Sequence, residues 1–329
     1  MITSQSERDG SKEVLEAQVG YVGLGNMGAP LARRLQQRLQ ETTPLHVHDL
    51  SETALEGLRA LGARPHRSPA ELARHCDTIL LCLPTTEHVR AAIFGADGIA
   101  ATARPGTLIV DQTTGDPVAS RALAQELQRA KLEMIDAPVS GGPEGANAGT
   151  IAILVGATES QFARIAPVLR AISPNVFHAG EFGCGYVAKL ANNLLFAATR
   201  LMTLEAVALA AKNGVPPRKM VEIMMAGSSR NFFLEHAMVP RILSGSLDGG
   251  FSLKLLHKDV RIATQLGLNS EVPMLLGNLV REFYQICIAE VGADAPANAA
   301  ALVMDRLAGT DIVPGKNNGH RSTIGKAGG

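Results

Sequence analysis

The sequence predicts an α/β, doubly wound parallel-sheet domain followed by an all-α domain, and three observations carry that prediction. From Val19 onward, short apolar runs alternate with stretches of helical period, the pattern of βαβ units. The first run leads into Gly23-Leu24-Gly25-Asn26-Met27-Gly28, a glycine-rich turn that opens a helix. Beyond Gly183 the alternation stops, and as far as Leu307 only helical periodicity remains. A chain of 329 residues, at about 150 per domain, accommodates two such domains.

The strands expected from short apolar runs are Val19–Val22, Leu45–His48, Thr78–Leu83, Thr107–Asp111, Glu133–Asp136, Ile151–Val155 and Val176–His178. Between them, helical periodicity covers Gly28–Gln40, Glu52–Leu61 and Val118–Ala130, among others. The second part reads as helices Tyr186–Asn213, Pro217–Met225, Phe232–Leu243, Leu253–Leu266, Val272–Ala289 and Ala297–Ala308. The expected division is a flexible extension over 1–18, the α/β domain over 19–182, the all-α domain over 183–308 and a flexible Gly-rich tail over 309–329.

Composition narrows the function. Lys+Arg and Asp+Glu are 31 each, so the cationic excess of a duplex-DNA binder or a polybasic membrane module is missing. Trp is absent and aromatics are 4%, which argues against a stacking platform for single-stranded nucleic acid. Hydrophobic residues make up 46%, enough for a sizeable core. Cys76, Cys82, Cys184 and Cys287 form no CxxC pair and no zinc-like spacing, a pattern that fits a reducing compartment. The most apolar long stretch, 194–211, contains Arg200 and Glu205 and reads as a buried amphipathic helix. The polar N-terminus lacks the apolar core of a signal peptide, so the expectation is a cytoplasmic protein with neither membrane nor nucleic acid as partner.

The turn at 23–28 carries the first chemistry. Gly23 permits a tight turn out of the strand, Gly25 lets a pyrophosphate approach the backbone, and Gly28 lets the helix pack closely with its N-terminal amides facing the phosphates. A glycine-rich turn can arise by chance, but this one follows an apolar strand and precedes a second strand ending in Asp49, about 20 residues on. That carboxylate suits both ribose hydroxyls of NAD and would repel the extra phosphate of NADP. Leu50 and Ser51 follow, with no arginine to receive a phosphate, so NAD is favoured over NADP. His46 and His48 alternate onto one face of the second strand, yet no further ligand clusters with them, so no metal is expected. Leu83 and Pro84, at a strand end, are candidates for nicotinamide-side contacts, although an ordinary strand-ending proline explains them equally well. Thr113 and Thr114 lie similarly, and either could instead cap the next helix.

Two stretches suit a reacting centre. In DAPVSGGPEGA, Ser140, Gly141 and Gly142 offer a hydroxyl and two unencumbered amides for a small carboxylate, or simply a structural loop. In GCGYVAKLANN, Lys189 and Asn193 are i and i+4 on one helical face among apolar neighbours. Such surroundings disfavour the charged lysine and suit acid–base work, while a lysine snorkelling at a domain boundary reads the same residues as well. KLLHKDV places Lys258 and Asp259 on a later helix, where lysines are usually solvated.

With these residues assembled, the chain resembles the β-hydroxyacid dehydrogenase family, which includes 3-hydroxyisobutyrate dehydrogenases and tartronate semialdehyde reductases. The resemblance runs from about Val19 to Leu307 and rests on GYVGLGNMG, DAPVSGGPEGA, GCGYVAKLANN and KLLHKDV occurring in that order. It implies a Rossmann-type domain, a long interdomain helix and an all-α domain that builds homo-oligomers, dimers or tetramers. It also implies NAD(P)-dependent hydride transfer with a small β-hydroxy acid or semialdehyde. Lys189 becomes the general acid/base, Asn193 orients the substrate oxygen, and Ser140, Gly141 and Gly142 hold the carboxylate. Lys258 would reach both cofactor and substrate. Asp259, Thr114, Leu83, Pro84 and the loop residues Gly23, Leu24, Gly25, Asn26, Met27 and Gly28, with Asp49, would contact the cofactor.

The chain departs from the family at Asp111-Gln112-Thr113-Thr114, where Asp-x-Ser-Thr is usual, and at His88, where some relatives carry asparagine. The segment from Ala226 to His236 matches no specificity signature. Alternatives are an imine-reductase-like enzyme, which generally lacks the lysine, and 6-phosphogluconate dehydrogenase, which is longer and tends to have histidine at the position of Asn192. A non-catalytic NAD-binding scaffold or sensor is the alternative from outside the enzymes.

Overall fold

The computed structural model describes residues 18–39, 43–249 and 251–315. The expected extension thus lies outside the described residues except for Gln18, as does the tail from 316 onward. The chain forms two compact units, Met1–Lys189 and Leu190–Gly329.

The first unit is built on β1 (Val19–Val22), β2 (His46–His48), β3 (Arg64–Pro65), β4 (Thr78–Leu81), β5 (Leu108–Asp111) and β6 (Glu133–Asp136). These six are parallel and lie in the order β3-β2-β1-β4-β5-β6, that of a dinucleotide-binding sheet. Three further strands, β7 (Val139–Ser140), β8 (Ala152–Gly156) and β9 (Val176–Gly180), extend it. β8 runs antiparallel to β6 and β7, and β9 runs parallel to β8.

Every residue of β1, β4 and β5 is buried, as parallel strands covered on both faces require. Their side chains alternate between two cores. Tyr21, Leu80, Val110 and Ile135 enter one, whereas Val22, Leu81, Ile109 and Met134 enter the other. The register aligns Val22 with Leu81, Leu81 with Asp111 and Asp111 with Asp136, so the carboxyl ends finish on one edge.

The helices of this unit are α1 (Gly28–Gln36), α2 (Glu52–Arg59), α3 (Pro69–Ala73), α4 (Thr86–Phe94), α5 (Pro117–Arg129), α6 (Gly142–Ala148) and α7 (Glu159–Ile172). Strand β4 stops two residues short of the expected Leu83, because the Leu83 N–H turns to the Thr113 hydroxyl at 3.1 Å. α1 likewise ends at Gln36, where the Gln36 side-chain carbonyl receives the Leu45 N–H at 2.8 Å and tethers the incoming β2.

The all-α part begins with α8 (Cys184–Lys212), 29 residues long, which runs from the first unit into the second. It is the one helix among the described residues long and apolar enough to cross a membrane by length and composition. The second unit adds α9 (Pro217–Ala226), α10 (Leu253–Asn269), α11 (Leu275–Val291) and α12 (Ala300–Ala308). Leu234–Ile242, expected as an ordinary helix, is a π-helix containing Pro240, which has no N–H to give the regular ladder. Leu201, Leu204 and Val207 of α8 pack with Phe233, Leu256 and Tyr284 in the core of this unit.

The first residues of the expected tail are docked. The Asp305 carboxylate accepts bonds from the Thr310 hydroxyl and the Ile312 and Val313 N–H groups at 2.8, 2.7 and 2.9 Å. Ile312 and Val313 are consequently buried.

Candidate active site

The loop between β1 and α1 divides its work among three glycines. Gly23 has φ +94°, in the left-handed region, and any Cβ there would strike the Cys82 carbonyl. A Cβ on Gly28 would strike the Gly23 carbonyl, so helix and turn can approach only without it. Gly25 differs, because its Cβ position has no protein atom within 4 Å. Open space over a backbone that needs no side chain is what a pyrophosphate cradle requires. No side chain caps α1 at Met27 and no acid lies in its first turn, so the positive end of its dipole is open to an anion. The Ala29 N–H already donates to the Gly25 carbonyl at 3.0 Å, and Pro30 has no N–H.

Asp49 braces this loop. One oxygen accepts the Leu24 N–H at 2.5 Å and the other the Ser51 N–H at 2.7 Å. Leu50 beside it is 98% exposed. Across the switch point between β1 and β4, Leu83 is half-buried and Pro84 exposed. Thr113 is tied on both sides, its N–H to Asp111 at 2.9 Å and its hydroxyl to Leu83. Thr113 therefore serves the loop, and Thr114, which follows it after the end of β5, is half-buried.

Ser140 belongs to β7, paired with Ala152, where a loop was expected. Gly141 and Gly142 follow with φ of +137° and +68°, both exposed, and no protein atom stands within 4 Å of a Gly142 Cβ. This shape can present amides to a small anion.

Lys189 lies in α8, 9% exposed. The helix start is held by residues to which the sequence assigned no role. Asp136 accepts the N–H groups of Gly183 at 2.6 Å and Tyr186 at 2.7 Å, and the Tyr186 hydroxyl donates to Asp111 at 2.5 Å. Burial pushes the Asp136 carboxyl up to about 7, against the lowering effect of those two N–H groups.

In the second unit, buried Asn193 donates to Asp259 at 2.7 Å, and Lys258 pairs with the other oxygen of Asp259 at 3.1 Å. Asp259 is only 2% exposed, so its carboxylate orients Asn193 and Lys258 together. Lys254, from the same motif, instead forms a surface ion pair with Asp294.

His46 and His48 are both buried, and each turns to His66, through its ring nitrogen at 2.7 Å and its carbonyl at 2.9 Å respectively. The rings of His46, His66 and His75 lie 5.0 to 5.2 Å apart. Among the described residues, no group of three or more His, Cys, Asp or Glu is disposed to hold a metal ion.

The sheet order, the glycine loop and the strand-end acid define a nicotinamide-dinucleotide-binding unit, here followed by a helical one. Comparison with known proteins agrees. Residues 18–180 match the family model for the NAD-binding domain of 6-phosphogluconate dehydrogenase. Residues 183–304 match the one described as NAD-binding of NADP-dependent 3-hydroxyisobutyrate dehydrogenase.

The chain is 35% identical over 278 residues to a probable mitochondrial 3-hydroxyisobutyrate dehydrogenase of Dictyostelium discoideum, covering 83% of this chain and 86% of that one. It is 34% identical to the NAD-dependent L-serine dehydrogenase of Pseudomonas aeruginosa, over 89% and 99% of the two chains. The solved 3-hydroxyisobutyrate dehydrogenase of Mycobacterium tuberculosis with L-serine superposes with a TM-score of 0.76, at 29% identity over 88% and 99%. The chain belongs to the β-hydroxyacid dehydrogenase family and is an oxidoreductase acting on a CH–OH group.

Proposed function

We propose that this enzyme interconverts a small 3-hydroxy carboxylate and its semialdehyde, with NAD preferred over NADP and Lys189 as general acid/base. The observation that carries the reading is a buried lysine one helical turn before Asn193 on α8, within the motif that carries the family resemblance. A nicotinamide held by the glycine loop and Asp49 supplies the hydride acceptor when bound. Lys189, in its neutral form, takes the hydroxyl proton in oxidation and returns it in reduction. Asn193, set by Asp259, orients the reacting oxygen, while Ser140, Gly141 and Gly142 hold the carboxylate. Lys258, paired with Asp259, takes the binding role toward cofactor and substrate that the family resemblance implies.

Asp49 and exposed Leu50 support the NAD preference, since a ribose phosphate would meet a carboxylate and an aliphatic side chain with no arginine following. The relatives named above act on 3-hydroxyisobutyrate and L-serine, which share a carboxylate and a hydroxyl on the 3-carbon.

The test follows reduced-nicotinamide absorbance with NAD or NADP and 3-hydroxyisobutyrate, 3-hydroxypropionate, glycerate, threonate, L-serine or 4-hydroxybutyrate. NAD-dependent turnover should fall by about 10²–10⁴-fold in Lys189→Ala. Near-normal turnover in that variant removes the lysine from its role, and NAD binding without turnover on any acid favours the scaffold alternative. Exposed Leu195, Met202 and Leu209, seven residues apart on α8, with Leu275, Leu276 and Leu279 on α11, support self-association through helices. Light scattering of the purified protein decides between monomer and oligomer.

A further inference from the structure

The geometry points to a positioning device for Lys189, built from Asp136, Asp111 and Tyr186 and lying wholly in the first unit. This inference rests on the acid/base reading of Lys189.

α8 carries no acidic residue in its own first turn, so its N-terminal amides and positive dipole end need a partner from elsewhere. Asp136, at the end of β6, provides it, with each carboxylate oxygen taking one N–H, from Gly183 and from Tyr186. The seat is cut to this carboxylate. A Cβ on Gly185 would stand 2.7 Å from one Asp136 oxygen, and one on Gly156 would stand 2.8 Å from the carboxyl carbon. No larger residue fits at either glycine without displacing the cap.

The second anchor is a side chain. Fully buried Tyr186 donates its hydroxyl to Asp111, the register neighbour of Asp136 at the end of β5. The first turn of α8 is thereby fixed to two adjacent strand ends, which sets both its axial position and its rotation. Tyr186, Lys189 and Asn193 follow the i, i+3, i+7 spacing of one helical face, so rotation set at Tyr186 is inherited by Lys189. The same Asp111 accepts the Thr113 N–H, and the Thr113 hydroxyl accepts the Leu83 N–H. The lysine helix and the loops after β4 and β5 thus share one buried carboxylate as reference point.

Tyr186 and Asp136 touch neither substrate nor cofactor in this reading; they act through Lys189. Tyr186→Phe removes a single hydroxyl, and Asp136→Asn keeps the shape of the side chain while turning one acceptor oxygen into a donor, so each keeps the packing and gives up one buried hydrogen bond. In the full chain, each should lower the thermal midpoint by only a few degrees, the cost of one buried hydrogen bond, and keep the dissociation constant for NAD within about twofold. Turnover at saturation should fall by about 10–100-fold, the effect of a misplacement near 1 Å. Amide exchange over residues 184–189 should accelerate, and the rate of reductive methylation of Lys189, read by mass spectrometry, should change severalfold. The methylation arm needs no substrate, so it decides the inference even if the acid is unknown.

Turnover and methylation at wild-type levels in both variants, with Lys189→Ala inactive, would overturn the inference and leave the lysine's role standing. A turnover loss matched by an equal loss of NAD affinity would overturn it too, leaving a plain structural cap. An active Lys189→Ala would instead remove the reading beneath it, and that variant is measured independently of the other two.

Discussion

Exchanging Gly25 and Gly28 for alanine one at a time separates room for a ligand from room for the protein itself. In Gly28→Ala the new methyl meets the Gly23 carbonyl oxygen and stands 2.9 Å from the Gly23 carbonyl carbon and 3.4 Å from Cys82 Cβ. The first two obstacles are backbone and cannot rotate away, so overpacking should reach the upper end of its usual range, about 3 kcal/mol. Alanine's better helix propensity returns about 1 kcal/mol, since Gly28 is the first residue of α1. The net loss, about 2 kcal/mol, corresponds to a midpoint lower by about 4–8 °C for a unit of this size. In Gly25→Ala no protein atom lies within 4 Å, and stability should stay within about 0.5 kcal/mol. Its methyl nevertheless stands where the pyrophosphate would approach, and NAD affinity should drop by about tenfold or more. The assay is the thermal midpoint with and without NAD, with calorimetric titration for affinity. At a concentration 100 times the wild-type dissociation constant, NAD stabilisation of about 2.7 kcal/mol should shrink to about 1.4 in a tenfold-weakened Gly25→Ala. NAD binding within twofold of wild type in Gly25→Ala would refute the path over Gly25, and a wild-type midpoint in Gly28→Ala would refute the collision.

Further expectations concern other parts of the chain. Asp49→Ser should weaken NAD by about 10–100-fold, the worth of charge-assisted bonds, and narrow the gap to NADP; an unchanged NAD affinity would remove Asp49 from the ribose site. His46, 2% exposed, is lowered to about 4 by burial and then by His66, His75 and Arg64, whereas in the unfolded chain it titrates near 6.5. The unfolded state therefore binds more protons in that window. His46 contributes stability fully present above pH about 6.5 and lost as pH falls toward 4, on the order of 3 kcal/mol. His66 is shifted the same way, while Asp136, raised to about 7, acts with opposite sign, so the measurement is the difference in urea midpoint between wild type and His46→Leu from pH 4 to 8. A flat difference contradicts the assignment. Asp305→Ala should cost about 3 kcal/mol by stranding three buried donors, and should open the segment after Gly309 to proteases; resistance equal to wild type would count against it.

What the sequence revealed depended on how local each signal is. β1, β4, β5 and β6 are legible because a buried parallel strand is a continuous apolar run. β3 and β7 have two residues each, too few to show any period, and the π-helix differs from an α-helix in hydrogen bonding that apolar spacing does not encode. The glycine loop and Asp49 are legible because ligand geometry fixes their spacing along the chain. Asp111, Asp136 and Tyr186 look ordinary in one dimension, since an acid at a strand end also suits a turn. Their partners lie 50 and 75 residues away, and only the alignment of β5 with β6 brings them together. The histidines behaved similarly: His46 and His48 could be read as a pair, but His66 joins them only through β3.

The border of the sheet at β3 has a consequence for how copies of this chain can stick to one another. Arg64 and His66 spend their N–H groups on Leu45 and Val47 of the preceding strand, at 2.8 and 2.9 Å. The residue between them, facing outward by the alternation of a parallel ladder, is Pro65, which has no N–H to offer. A neighbouring strand that tried to zip onto this rim would find no amide hydrogen at Pro65, the outward-facing residue of this two-residue strand. That rim is blunted against runaway edge-to-edge stacking of the kind that seeds fibrils, as proline on an edge strand does elsewhere.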